Sequence, residues 1–267
     1  MIRITPRQTV GILSLLAFLL CPVWVVQASE SEGVIVYIDP GHGGLNEGAH
    51  GVTGLKEKEV VLDVALRLKV LLDSDPSFQA VLTRSTDQFL GLRERTRQAN
   101  RAKAAVFLSL HANASPHPEP HGIEVYFLSA DGATGENAEI VAREESGLTE
   151  TTESDSNYGS IMHGLQLVGA QRASRMLADV MLRSMVRSTE AKNRGVRQAN
   201  FAVLKEALMP AVVIEMGYIS NPDEEALLRQ AGYRERVAFG IFDGLVKWQR
   251  KVRRLARSQK TQRFLSP

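Results

Sequence analysis

Apolar and polar positions along this chain alternate between two kinds of run. Short apolar-rich stretches at residues 34–38, 78–83, 104–110, 122–129, 201–204 and 212–214 predict buried strands, several bounded by Gly, Pro or polar turn residues. Between them, apolar positions recur at three- and four-residue steps, which predicts core-facing helical stripes. The segment 56–73 carries its stripe at 60, 61, 64, 65, 68, 71 and 72 and stops at Asp75-Pro76. Segments 90–102, 165–185, 224–230 and 234 to about 254 read as further helices. Strands that alternate with helices predict an α/β layered domain with helices on both faces of the sheet.

Two stretches break the pattern. At the start, Arg3 and Arg7 precede an apolar run over residues 10–26, and Val26-Gln27-Ala28 offers a small-residue cleavage site before Ser29. Residues 1–28 therefore read as a secretory signal peptide, with a retained membrane anchor as the alternative. Residues 131–164 form a polar insertion, with a short helix predicted at 137–145 and a stretch rich in Ser, Thr, Glu and Gly at 146–160.

Composition narrows the chemistry. The 267 residues, 44% apolar and 23% charged, suffice for one good core over residues 33–250, and a net charge of +2 gives no sign of a nucleic-acid partner. The single cysteine, Cys21, falls inside the signal. An exported, mature chain would then hold no thiol, so any metal must be bound by His and carboxylate. The C-terminal end, 251–267 with the cations just before it, is basic through Lys247, Arg250, Lys251, Arg253, Arg254, Arg257, Lys260 and Arg263. It reads either as a solvated helix end or as a means of adhering to an anionic envelope surface.

Candidate catalytic groups gather where strands end. The first strand runs into Asp39-Pro40-Gly41-His42-Gly43-Gly44, the third into His111-Ala112-Asn113, and the last into Glu215-Met216-Gly217-Tyr218. Glu57 and Glu59 open the helix after the first loop, where the helix dipole favours acids, and for Glu59 that is explanation enough. Ligands of α/β sheets bind outside the carboxyl ends of strands. A phosphate cradle is a competing reading of the glycines, but neither G-x-G-x-x-G nor a G-K-[ST] ending is present. Two histidines and a glutamate with an open fourth position make a catalytic zinc arrangement, which calls for a further carboxylate to move protons.

Residues 38–44, 55–62, 82–87, 109–113, 122–126 and 213–221, taken in order, resemble the zinc-dependent N-acetylmuramoyl-L-alanine amidases that cleave bacterial peptidoglycan. The resemblance implies a single α/β domain around a mixed, mostly parallel sheet. It implies one zinc ion (Zn2+) on His42, Glu57 and His111, and Glu215 as the acid/base that serves a zinc-activated water. Asn113 and Glu124 would support substrate or site, and Arg84 and Arg95 would form structural ion pairs. Some relatives carry an inserted helix that plugs the site until an activator protein removes it. Here Glu144, Glu145, Glu150 or Glu153 would be the plugging carboxylate. The alternatives are another secreted zinc peptidase or deacetylase, or a non-catalytic peptidoglycan-binding protein. The resemblance places the protein in the periplasm or at the cell wall.

Overall fold

The computed structural model describes residues 33–128, 136–145 and 161–265. Six strands form one sheet in the order β2-β1-β3-β6-β4-β5. They are β1 (Val34–Pro40), β2 (Phe78–Leu82), β3 (Val106–Asn113), β4 (Ile123–Leu128), β5 (Asn193–Ala199) and β6 (Ala211–Tyr218). Pairing is parallel at β1–β2, β1–β3, β3–β6 and β4–β5, and antiparallel only at β4–β6. The helices are α1 (Glu57–Asp73), α2 (Leu92–Arg101), α3 (Glu136–Glu144), α4 (Ile161–Thr189), α5 (Pro222–Arg229) and α6 (Ala231–Leu265).

Alternation along the strands builds two cores. Val36, Ile38, Leu108, Leu110, Val125 and Ile214 face a layer that includes Val61, Val64 and Leu68 of α1, Leu177 and Met181 of α4, and Ile241 and Leu245 of α6. Tyr37, Phe107, Tyr126 and Val213 point the other way, onto Ala99 of α2, Ile140 of α3 and the 3-10 turn Ala202–Leu204. With both faces covered, β3 and β6 are buried along their whole length. Such strands read as unbroken apolar runs, which is why the sequence pattern finds them.

Elsewhere the structure corrects the pattern. Residues 201–204 are not a strand but the 3-10 turn. The true strand is β5, whose sequence Asn-Arg-Gly-Val-Arg-Gln-Ala has no apolar alternation because it is a half-exposed edge. Helix α4 begins at Ile161 and runs past 185 to Thr189, and the basic C-terminal segment continues α6 as helix up to Leu265. The helix expected at 137–145 is α3. Among the described residues no helix is long and apolar enough to cross a membrane. The signal peptide expected at residues 1–28, with Glu150 and Glu153, lies outside the described residues.

Candidate active site

His42 leaves β1 in a left-handed backbone conformation, φ 57°. That conformation costs an ordinary residue roughly 1–2 kcal/mol, so the surroundings must hold it. Two buried arginines do so. Arg95 donates from Nη1 to Pro40 O and from Nη2 to His42 O, each at 2.8 Å. Arg84 donates from Nε to Pro40 O at 3.0 Å and from Nη2 to Gly41 O at 2.7 Å. The expectation of structural ion pairs is met at Arg95, whose Nη1 is 2.8 Å from Asp39 Oδ1. Arg84 differs, since its hydrogen bonds run to backbone carbonyls. Burial and the neighbouring Arg95 pull its pKa down to about 10. Gly41 serves close approach, because a methyl group there would come within 2.4 Å of His111 Cε1.

The His42 ring is aimed by a residue that the sequence pattern does not single out. Its Nδ1 donates to Asn46 Oδ1 at 2.9 Å, an oxygen that can only accept, so Nε2 faces inward. Inside lie Glu57 Oε2 at 3.0 Å and Glu144 Oε2 at 3.1 Å. His111, in the last turnings of β3, brings Nδ1 to 3.1 Å from Glu57 Oε1 and 2.9 Å from Glu144 Oε2. Glu57 is fixed by two amides, Ala49 N at 2.8 Å on Oε2 and Ala112 N at 2.9 Å on Oε1. It stands at the first position of α1 yet turns its carboxylate into the site instead of capping the helix. One ligand atom from each of His42, Glu57, His111 and Glu144 lies within 4.8 Å of all the others.

These neighbours set the electrostatics. Burial disfavours a charged His42 ring, but the charge of Glu57 and the hydrogen bonds that Glu144 and Glu57 accept from the ring prevail and raise its pKa to about 9. Burial likewise opposes charge on His111, and the same two carboxylates push it well above its ordinary value. Glu57 is held far below the usual carboxylate range, since the two histidines outweigh its burial. Four buried groups that need positive charge between them, with nitrogen and oxygen donors and no sulfur, fit a zinc ion.

Glu215 sits beside this cluster, paired across the β3–β6 ladder with His111. It is wholly buried and neither carboxylate oxygen has a hydrogen-bond partner. Burial first, then the charges of Glu144, Glu57 and Glu124, drive its pKa well above the ordinary value. Asn113 Nδ2 donates to Glu124 Oε1 at 2.8 Å, while its own Oδ1 is buried without a partner. Of the four glutamates expected as plugs, Glu144 enters the cluster and Glu145 turns away to accept from Ala202 N at 2.6 Å. A groove of about 260 Å³ opens beside the cluster, lined by Asn46, Gly48, Ala49, Ala114, Arg143 and Glu144 among others.

A family model described as N-acetylmuramoyl-L-alanine amidase matches residues 36–247. The chain belongs to that family. Amidase AmiA of Escherichia coli K12 is 33% identical over 228 residues, covering 83% of this chain and 78% of the relative. Amidase AmiC of Neisseria meningitidis serogroup B is 32% identical over 218 residues, 80% of this chain and 52% of the relative. The chain thus spans about half the length of some curated relatives and about three quarters of others. Among solved structures, the catalytic domain of the amidase CwlV from Bacillus (Paenibacillus) polymyxa var. colistinus superposes with a TM-score of 0.64 at 33% identity, covering 81% of this chain and 98% of that domain. Amidase AmiC2 of Nostoc punctiforme gives 0.64 at 30% identity, covering 82% and 99%. The family's name states its reaction, hydrolysis of the amide joining N-acetylmuramic acid to L-alanine, and this chain is an amidase of that kind. The mixed, mostly parallel sheet expected from the resemblance is the one observed.

Proposed function

We propose that this chain opens the muramoyl–L-alanine amide of peptidoglycan with His42, Glu57 and His111 as zinc ligands and Glu215 as the proton carrier. The observation that carries the reading is Glu215, a buried carboxylate without a hydrogen-bond partner, lying next to a four-residue metal-binding cluster. Bound there, zinc supplies a Lewis acid for the carbonyl and a water made acidic to a pKa near 7. His42 and His111 must surrender their protons to hold the ion, and Asn46 keeps the His42 tautomer that presents Nε2. Glu215, with its raised proton affinity, takes a proton from the attacking water and returns it to the amine of L-alanine as the C–N bond breaks. Digestion of purified wall with the metal-loaded enzyme should expose new L-alanine amino termini and no new reducing sugars. New reducing ends, or amino termini of another residue, would overturn this assignment.

The same reading gives Glu144 a regulatory role. It holds the position that a substrate oxygen needs, so α3 is a plug and the chain rests in a blocked state. An activator protein acting on 131–164 would lift α3 away. The substrate, together with residues 1–28, puts the work outside the cytoplasm, in the periplasm or at the cell wall. The cationic end of α6, without an acidic residue after Asp243, is suited to an anionic envelope surface.

A further inference from the structure

The two carboxylates that meet the histidines are held in different ways. Glu57 is locked from behind by the amides of Ala49 and Ala112, at 2.8 and 2.9 Å, and belongs to the frame of the site. Glu144 is bound through one oxygen, its Oε2, which accepts from His42 Nε2 at 3.1 Å and from His111 Nδ1 at 2.9 Å. Among the described residues those two rings are its hydrogen-bond donors. A carboxylate from another source makes the same contact, since nothing in it depends on the helix behind. Glu144 also lines two hollows at once. One is bordered by Leu90 and Leu92, the other by Gly48, Ala49 and Ala114. With the Glu144 side chain withdrawn, the place of its carboxylate lies open to both.

This seat is positive with or without metal. In the metal-free fold Glu144 faces two rings that donate to it. In the loaded enzyme the same nitrogens surrender their protons to hold a cation. Glu57 alone cancels neither two imidazolium charges nor a divalent ion. A negative oxygen is therefore favoured here, and a charged acceptor forms hydrogen bonds roughly twice as strong as a neutral one. Hydrolysis changes the substrate in just that respect. Oxygen from water joins the lactyl carbonyl carbon as the C–N bond breaks, and the amine of L-alanine leaves with a proton. A neutral amide thus becomes the lactyl carboxylate of N-acetylmuramic acid. We infer that the seat of Glu144 between His42 and His111 is the binding site for that product carboxylate, and that α3 blocks the enzyme by imitating its product, an assignment that rests on the hydrolase reading. Once α3 is lifted, cleaved glycan and small monocarboxylates compete with substrate for the seat.

The test uses the full zinc-loaded chain and its Glu144→Ala form, which lacks the fragment that acetate resembles. Acetate and its neutral isostere acetamide are titrated at constant ionic strength. Turnover of a soluble N-acetylmuramoyl-L-alanyl peptide and calorimetric binding are separate readouts. On Glu144→Ala, acetate should raise KM at unchanged kcat and bind about tenfold or more tighter than acetamide. N-acetylmuramic acid should bind tighter still. N-acetylglucosamine, which has the sugar without the lactyl carboxylate, should not compete at the same concentrations. In the unmodified chain, whose own carboxylate fills the seat, acetate affinity should fall in proportion to the blocked fraction. Glu144→Gln keeps the length of the side chain without its charge and should show the same order of ligands. Acetate and acetamide acting alike in both variants overturn the seat. N-acetylmuramic acid binding no tighter than N-acetylglucosamine overturns the imitation of product. Selective binding of acetate by a chain that releases no L-alanyl peptide would instead refute the hydrolase reading, and the imitation with it.

Discussion

At the scale of single residues, the site depends on groups that hold protons against their ordinary tendency. His42 has a pKa near 9 in the metal-free fold, above the 6.5 of a free ring. The stabilisation it gives that fold is therefore complete below about 6.5 and lost as pH rises through about 9. The metal-free protein should melt lower at pH 9 than at pH 6.5. Zinc must displace those protons, so uptake at pH 7 should release them. Calorimetry in two buffers of different ionisation enthalpy counts the release, and a count of zero would contradict the assigned ligands. Glu215→Gln should lower kcat by about 10²–10⁴-fold while zinc content stays unchanged. His42, His111 and Glu215 are visible in the sequence because they follow or end a recognisable strand, and Glu57 because it opens a recognisable helix. Asn46 is not, since one asparagine among glycines looks like any turn residue.

At the scale of elements, the proposed plug is α3, whose Glu144 enters the cluster. Among its described residues, Ile140 is buried in the smaller core, Val141 packs at its edge, Glu144 bonds both histidines, and Glu145 caps the 3-10 turn through Ala202 N. A charge-assisted hydrogen bond of that kind contributes about 1.5–3 kcal/mol, so Glu145→Ala should raise the fraction of open molecules about tenfold or more. Turnover of a soluble muramoyl peptide by the full chain should rise accordingly, and Glu144→Ala should raise it further. Unchanged rates in both variants would remove the plug. Sequence composition locates the insertion but not its docked carboxylate, because the contact of Glu144 with His42 spans 102 positions and leaves no local trace. Strand β5 escapes notice for a related reason. Its residues answer to Glu124 across the sheet instead of to an apolar face.

At the scale of the molecule, the cluster joins the β1 loop, the start of α1, the end of β3 and the insertion. Metal held by all of them stabilises the whole fold. At a free zinc concentration about 1,000 times Kd the gain is about 4 kcal/mol. A chain of this size should then lose roughly 8–16 °C in melting temperature on chelation. A scan with and without a chelator, followed by zinc addition, checks this. Truncation after Arg254 removes the cationic end but spares Trp248 and Val252, which pack in or against the larger core. It should leave turnover of soluble peptide unaltered and weaken retention on anionic vesicles, most clearly at low salt.

Strand β6 lies between β3 and β4, although more than eighty residues separate it from either in the chain. During synthesis or export, β2-β1-β3 and β4-β5 can each form while the gap between them stays open. The strand that closes the gap is also the one that delivers Glu215. Until it arrives there is neither a continuous sheet nor the carboxylate assigned to proton transfer, so a chain clipped before residue 211 should show no hydrolysis. With Glu144 of α3 seated in the cluster as proposed, even the finished sheet would have to be opened before it could cut.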